Sequence, residues 1–176
     1  MHENTVENSN SDDVIANFHA NYKIRQFKPN DLQKITQINR TTLPENYPDS
    51  FFLLVYSSFP EGFLVIEDKT NHIIGYTMNR IETGLSNFSR LRRAKKGHII
   101  SIAILPVYRR MGYGKKLMEI SLNEMIKLGA SECFLEVRES NESAVKMYLN
   151  RGFEKIKILR RYYSDHENAF LMGIRL

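Results

Sequence analysis

Apolar and polar positions along this 176-residue chain alternate with two different periods, and the switches between them mark out the elements. Tyr22-Lys23-Ile24-Arg25-Gln26-Phe27 alternates as a half-buried strand does. From Pro29-Asn30-Asp31 the period becomes helical, with Leu32, Ile35 and Ile38 on one side and Asn30 and Gln33 at capping-box spacing. Leu43-Pro44-Glu45-Asn46-Tyr47-Pro48 breaks that helix, and Asp49 to Phe59 reads as a second, short one. Gly62 to Glu67 and Ile73 to Ile81 read as strands joined by the turn Asp68-Lys69-Thr70-Asn71-His72. A polar loop with Gly84, Ser86 and Asn87 then carries a basic run into a strand from Gly97 to Leu105, buried at Ile99-Ile100-Ser101-Ile102-Ala103-Ile104. Leu117 to Leu128 is helical, with Leu117, Ile120, Ser121, Met125 and Leu128 on one face. Cys133 to Val137 is a further apolar strand, followed by a helix with Ser140 or Asn141 as N-cap and Gly152 as its stop. Phe153 to Tyr162 and Asn168 to Leu176 close the chain as two strands around Ser164-Asp165-His166-Glu167.

The order β-α-α-β-β-β-α-β-α-β-β predicts an α/β (α+β) fold, a mixed central sheet of about seven strands flanked by about four helices. No internal repeat or linker divides it. The expected organisation is a flexible tail over 1–20, which has little to bury, and a single domain over 21–176.

Composition narrows the setting. With 42% hydrophobic and 26% charged residues the chain fits a globular domain, and no apolar run approaches the roughly 20 residues of a membrane span. Met1 to Asn21 lacks the apolar core of a signal peptide. Cys133 is the one cysteine, so it has no internal disulfide partner and reads as a buried, inert thiol. A cytoplasmic location without membrane contact is the expectation. The five histidines are scattered without ligand spacing, so no metal site is predicted. The net charge of +5 owes much to Arg90-Leu91-Arg92-Arg93-Ala94-Lys95-Lys96, which reads as a solvated basic loop. Contact with an anionic partner, such as ribosomal RNA or an acidic substrate terminus, is the other reading of that run.

The densest chemistry lies in Arg109-Arg110-Met111-Gly112-Tyr113-Gly114-Lys115-Lys116. A strand that turns through glycines into a helix N-terminus gathers backbone N–H groups, and the helix dipole favours negative charge there. That is a site for a pyrophosphate. The spacing is neither G-x-G-x-x-G nor G-x-x-x-x-G-K-[ST], which argues against a dinucleotide fold or a P-loop.

Arg109-x-x-Gly112-x-Gly114 after a strand resembles the acetyl-CoA loop of the GCN5-related N-acetyltransferase (GNAT) family. Asn141-x-x-Ala144-x-x-x-Tyr148-x-x-x-Gly152-Phe153 resembles the second cofactor-binding segment of the same family, in the right order and at the right distance. The element order is similar to the GNAT fold over 22–176. The resemblance implies acetyl-CoA as the acetyl donor, held by Arg109, Arg110, Gly112, Tyr113, Gly114 and Lys115 and by the strand backbone of Ile102, Ala103 and Ile104. It also implies that Asn141 bonds the pantetheine arm and that Tyr148 lies at the thiol.

Three further segments resemble the catalytic subunits of protein N-terminal acetyltransferases, the archaeal enzymes especially, with ribosomal-protein alanine acetyltransferases close behind. They are Leu43-Pro44-Glu45-Asn46-Tyr47, the strand from Gly97 through His98 to Ala103, and Arg161-Tyr162-Tyr163-Ser164-Asp165 through Glu167-Asn168-Ala169. His166-Glu167-Asn168 stands where those relatives often carry Gly-Glu-Asp. The implied activity is transfer of acetyl to the α-amino group of protein N-termini within a ternary complex, without an acyl-enzyme. Leu43, Pro44, Glu45, Tyr47, Tyr162 and Tyr163 would bind the substrate. Glu45 and His98 would take the amine's proton through a water, and Tyr148 would donate one to the thiolate. If the last hairpin is regular, at most one of Tyr162 and Tyr163 points inward. A base of modest strength suffices, because freeing an α-amine at neutral pH costs about 1 kcal/mol where a lysine costs roughly four.

A loop carboxylate, a core histidine and a packing tyrosine are the structural alternatives for Glu45, His98 and Tyr148. At the level of function the alternatives are a lysine or small-amine acetyltransferase, which needs an open groove, and a catalytically silent protein that associates with the ribosome or RNA. The Arg90–Lys96 run could favour Asp- or Glu-starting peptides by charge alone.

Overall fold

The computed structural model describes residues 14–18, 22–89 and 91–176; for 14–18 the backbone is described. Eight strands form one sheet: β1 (Val14–Phe18), β2 (Tyr22–Gln26), β3 (Leu64–Asp68), β4 (Ile73–Leu85), β5 (Arg93–Ile104), β6 (Glu132–Arg138), β7 (Glu154–Leu159) and β8 (Ala169–Arg175). Four helices accompany them: α1 (Leu32–Thr42), α2 (Asp49–Ser58), α3 (Tyr113–Lys127) and α4 (Glu142–Asn150). The sheet order is β1-β2-β3-β4-β5-β6-β8-β7, antiparallel except for β5 against β6.

Strand alternation sorts the core onto two faces. Val65, Tyr76 and Met78 meet Ile35, Ile38, Phe52 and Val55 of α1 and α2. Leu64, Ile66 and Ile74 meet Tyr113, Leu117 and Ile120 of α3 on the other side. There α3 and α4 also enclose Cys133, Leu135, Val137 and Met172. Ser121 belongs to this buried face because its Oγ finds partners, donating to the Leu117 carbonyl and accepting from Asn79 Nδ2 at 3.0 Å. Leu128, expected on the same face, lies past the helix end and is exposed.

Several sequence-based boundaries move. The expected 1–20 tail falls mostly outside the described residues, but Val14–Phe18 pairs with β2 as an edge strand. The first helix is not capped by Asn30 and Gln33. Instead the Asp31 carboxylate accepts the Lys28 N–H at 2.8 Å and a two-pronged bond from Arg25. The basic run is no loop: Arg93 to Lys96 extend β5 and pair with Glu82 to Leu85, a ladder reinforced by the Lys96–Glu82 ion pair at 3.4 Å. Arg90 lies outside the described residues.

Two irregularities of β5 break the regular sheet at its centre. Met78 pairs with Ser101 and Asn79 with Ile99, so Ile100 is an extra residue, a bulge in β5. Ile100 and Ser101 consequently share the α1–α2 face, where Ser101 Oγ lies 2.9 Å from the Tyr76 hydroxyl. On its other edge, β5 pairs with β6 only at Lys96–Glu132, Gly97–Cys133 and His98–Phe134, after which the strands part.

Candidate active site

The parting of β5 from β6 opens a cavity of about 1020 Å³. One wall is the β5 edge at Ile102 to Ile104, the turn from Tyr108 to Lys115, and Asn141, Ser143, Ala144, Met147 and Tyr148 of the α4 region. The remaining wall is Leu43 to Tyr47, Arg80, His98, Glu136, Arg138, Tyr162 and Tyr163. Every site residue expected from the sequence therefore lines one cavity.

At the first end, Leu105-Pro106 stops β5, a single 3-10 turn (Pro106–Tyr108) follows, and the Arg109 Nε donates to the Ile104 carbonyl at 3.0 Å. Gly112 caps α3 at φ 85°, a left-handed conformation glycine adopts without penalty. The first intrahelical bond runs from Lys116 N–H to the Gly112 carbonyl, which leaves the preceding amides free to meet an anion. Arg110, also left-handed at φ 65°, reaches across to Ser143 Oγ at 3.5 Å. Tyr113 offers its main chain here, because its ring is buried against Tyr22, centroids 4.3 Å apart. The loop is anchored from outside by the Tyr108 hydroxyl, which donates to Asp68 Oδ2 at 3.1 Å. Asp68 also accepts from Thr70 and His72, and these bonds hold its carboxyl down at about 2.

On the α4 side, Asn141 Oδ1 caps the helix by accepting the Ala144 N–H at 3.1 Å. Tyr148 is buried, and burial beside Cys133 pushes its phenol well above the ordinary range. Burial does the same to the Cys133 thiol, which has no access to the cavity.

The far end is a network that hydrophobic patterning had not picked out. His98 stacks on Phe134 and its Nε2 bonds Glu136 Oε2 at 2.8 Å. A carboxylate only accepts, so Nε2 carries the proton, and among the described residues the buried Nδ1 has no hydrogen-bond partner. Arg138 donates from Nε and Nη2 to Glu45 Oε1, at 3.0 and 2.6 Å, and from Nη1 to Asp165 at 2.7 Å and to Glu167. Burial draws the guanidinium down, but bonds to Glu167, Asp165 and Glu45 outweigh it and hold it above its usual value. Tyr163 packs over Arg138, 4.1 Å from the ring centroid. Burial pushes the Tyr47 phenol up to about 12.

Tyr162 and Tyr163 both line the cavity, against the expectation that only one could. They follow the end of β7, and Arg161 at φ 49° breaks strand alternation just before them. Glu136 and Arg138 were absent from the expected site. Their signal was present in Leu135-Glu136-Val137-Arg138, where polar residues recur at period two within a buried strand.

The acetyltransferase (GNAT) family model matches residues 32–153, most of the described domain and both glycine-turn and Tyr148 segments. The chain belongs to the GNAT acetyltransferase family. It is 43% identical over 157 residues to an N-alpha-acetyltransferase of Sulfurisphaera tokodaii, covering 88% of this chain and 93% of that one. Ard1 from Thermoplasma volcanium is similar in structure, with a TM-score of 0.77 and 28% identity over 88% of this chain and 97% of that one. Naa20 from Chaetomium thermophilum, solved in complex with a bisubstrate analogue, gives a TM-score of 0.77 and 30% identity over 87% and 86%. As a GNAT acetyltransferase the protein is an acetyl-CoA-dependent acyltransferase. One end of its cavity offers an anion helix-end amides, flanking arginines and an unpaired strand edge. Among the described residues no helix is long and apolar enough to cross a membrane, and no group of metal-ligating side chains occurs.

Proposed function

We infer that this GNAT protein acetylates the α-amino group of protein N-termini, directly within a ternary complex. The carrying observation is the Arg138 bridge. It ties the Glu45 loop to Asp165 and Glu167 at the β7–β8 turn, so the acceptor end of the cavity is strapped across. A chain terminus can enter such a site end-on, whereas a lysine within a chain needs the open groove that the strap removes. The N-alpha-acetyltransferases among its relatives support the same reading.

Each residue then has a task. Tyr47, Tyr162 and Tyr163 grip the substrate's first residues, and Leu43 and Pro44 shape the loop beside them. The carboxylates of Glu45 and Glu136 face the cavity and attract the incoming ammonium. Glu136, held by His98, receives the amine's proton through one water, and Glu45 orients the amine under the grip of Arg138. Backbone N–H groups along Ile102 to Ile104 steady the negative charge that grows on the carbonyl oxygen. Tyr148 gives its phenolic proton to the departing thiolate. Cys133 is sealed in the core, which leaves no thiol to form an acyl-enzyme.

The test is acetyl transfer to free-N-terminal peptides beginning Ser, Ala, Met-Leu and Glu, beside N-blocked lysine peptides, with fragmentation mass spectrometry placing the acetyl group. Product on the α-amine alone is expected; product on lysine side chains alone would overturn the reading. Glu136→Gln should lower kcat by about 100-fold and leave acetyl-CoA binding intact. Unchanged turnover would remove Glu136 from proton transfer.

A further inference from the structure

Asn39 lies one turn before the end of α1 and is buried against the sheet, although asparagine is disfavoured in a helix interior and costly to bury without partners. It has partners at both ends of the loop that lines the acceptor side of the cavity. Its carbonyl accepts the Leu43 N–H at 2.9 Å, and its side-chain Oδ1 accepts the Tyr47 N–H at 3.4 Å. One residue therefore closes the Leu43–Tyr47 segment, with Glu45 at its centre.

The direction of the bonds follows from the groups involved. A main-chain N–H only donates, so Oδ1 of Asn39 faces Tyr47 and Nδ2 turns to the Tyr76 hydroxyl, 3.0 Å away. The Tyr76 oxygen accepts that bond, and its own proton goes to Ser101 Oγ at 2.9 Å. All three side chains are buried, so water does not compete for these bonds. Burial pushes the Tyr76 phenol up to about 12, which keeps its proton in place around neutral pH. Ser101 stands at this point because the β5 bulge turns it toward α1 and α2, immediately before the Ile102–Ile104 edge. A polar chain thus runs from β5 to the Glu45 loop through Tyr76 and Asn39, neither of which lines the cavity.

We propose that Asn39 and Tyr76 are positioning residues: the Ser101–Tyr76–Asn39 relay fixes where the Glu45 loop stands relative to β5, and so where the acceptor amine is held against the acetyl group. The identity of that amine rests on the N-terminal reading above. Apolar side chains would fill the same space without polar cost, but only directional bonds hold the loop in one orientation.

The experiment uses a peptide with a free Ser N-terminus and an internal lysine, and wild type, Y76F, S101A, Y76F/S101A and S121A. It reads peptide KM, kcat, acetyl-CoA affinity, the site of acetylation, and hydrogen exchange at the Tyr47 amide without substrate. S121A is the control, since it removes an equally buried hydroxyl, bonded to Asn79 on the other face of the sheet. It should lower Tm and leave peptide KM unchanged. Y76F should raise peptide KM about five- to tenfold and speed Tyr47 exchange about tenfold, with acetyl-CoA affinity unchanged. S101A should raise KM about two- to threefold, and the double variant no more than Y76F alone, because Ser101 acts through the phenol. Wild-type KM and exchange in both Y76F and S101A, or an equal KM rise in S121A, would overturn the relay. Faster Tyr47 exchange in Y76F with product on the lysine alone would overturn the N-terminal reading and leave the relay standing. Product on the α-amine with unchanged exchange and KM overturns only the relay.

Discussion

A phenol buried in a cavity wall is a different acid from one in water. Burial raises Tyr148 above its ordinary value of 10.0, so it keeps its proton through the whole range in which an α-amine becomes free. Tyr148→Phe should lower kcat by about 10- to 100-fold with little change in acetyl-CoA affinity. The sign of the shift also fixes the pH profile. Because the proposed role needs the acid form and the pKa is raised, wild-type kcat should not fall through this group at or below pH 10. A kcat–pH series would reject the assignment if it showed such a fall in wild type and none in the Phe variant. Glu45 makes the complementary point. The sequence presented it as a lone loop carboxylate between Pro44 and Pro48, and only Arg138, 93 positions away, turns it into an anchored one.

At the scale of elements, Gly112 and Gly114 look equivalent in the sequence and are not. Gly112 holds φ 85° with nothing within 4 Å of an added Cβ, so the backbone alone demands glycine there. Gly114 is not left-handed, and an added Cβ would meet Met147 Sδ at an ordinary 3.6 Å. Gly112→Ala should cost about 1 kcal/mol of stability and weaken acetyl-CoA binding through the turn, whereas Gly114→Ala should cost less in stability. Denaturant unfolding of both variants checks this; equal losses would mean the turn is not strained as described. The last hairpin carries a related lesson. His166 takes φ 67°, the conformation a glycine would supply, and Asn168 Oδ1 accepts the Arg161 N–H at 2.9 Å to hold the other side of the tip. The tip is thereby fixed beside the cavity by side chains rather than by glycine.

For the whole molecule, the decisive event is that two neighbouring strands stop pairing. Three paired positions join β5 to β6 before they diverge, and the space they leave is the cavity. Helices on both faces and the β6-β8-β7 ladder keep the two halves in place across that gap. At the opposite margin β1 extends the sheet beyond β2, which keeps five register pairs of its own with β3. Removing residues 1–18 should lower Tm, by about 2–4 °C for each kcal/mol of edge pairing lost, and is expected to leave the transfer rate unchanged. A truncated protein that folds but loses transfer would show that the segment reaches the site.

The sequence by itself determined the order of the elements from β2 onward, the glycine turn into α3, the cap and Tyr148 of α4, and the family to which they belong. These are local: each is written in a period, a cap or a spacing within some 15 neighbouring residues. What tertiary structure decided is everything that depends on residues far apart. The β5 bulge put Ile100 and Ser101 on one face because a single register shift with β4 required it. The basic run became part of a hairpin because Glu82 across the ladder offered Lys96 a partner. Glu136 met His98, and Arg138 gathered Glu45, Asp165 and Glu167, only once the sheet had brought β6 beside the α1–α2 loop and the last turn. Ion pairs and hydrogen bonds act over a few ångströms in space and leave no period along the chain, so the network around Arg138 and His98 exists only in the folded chain.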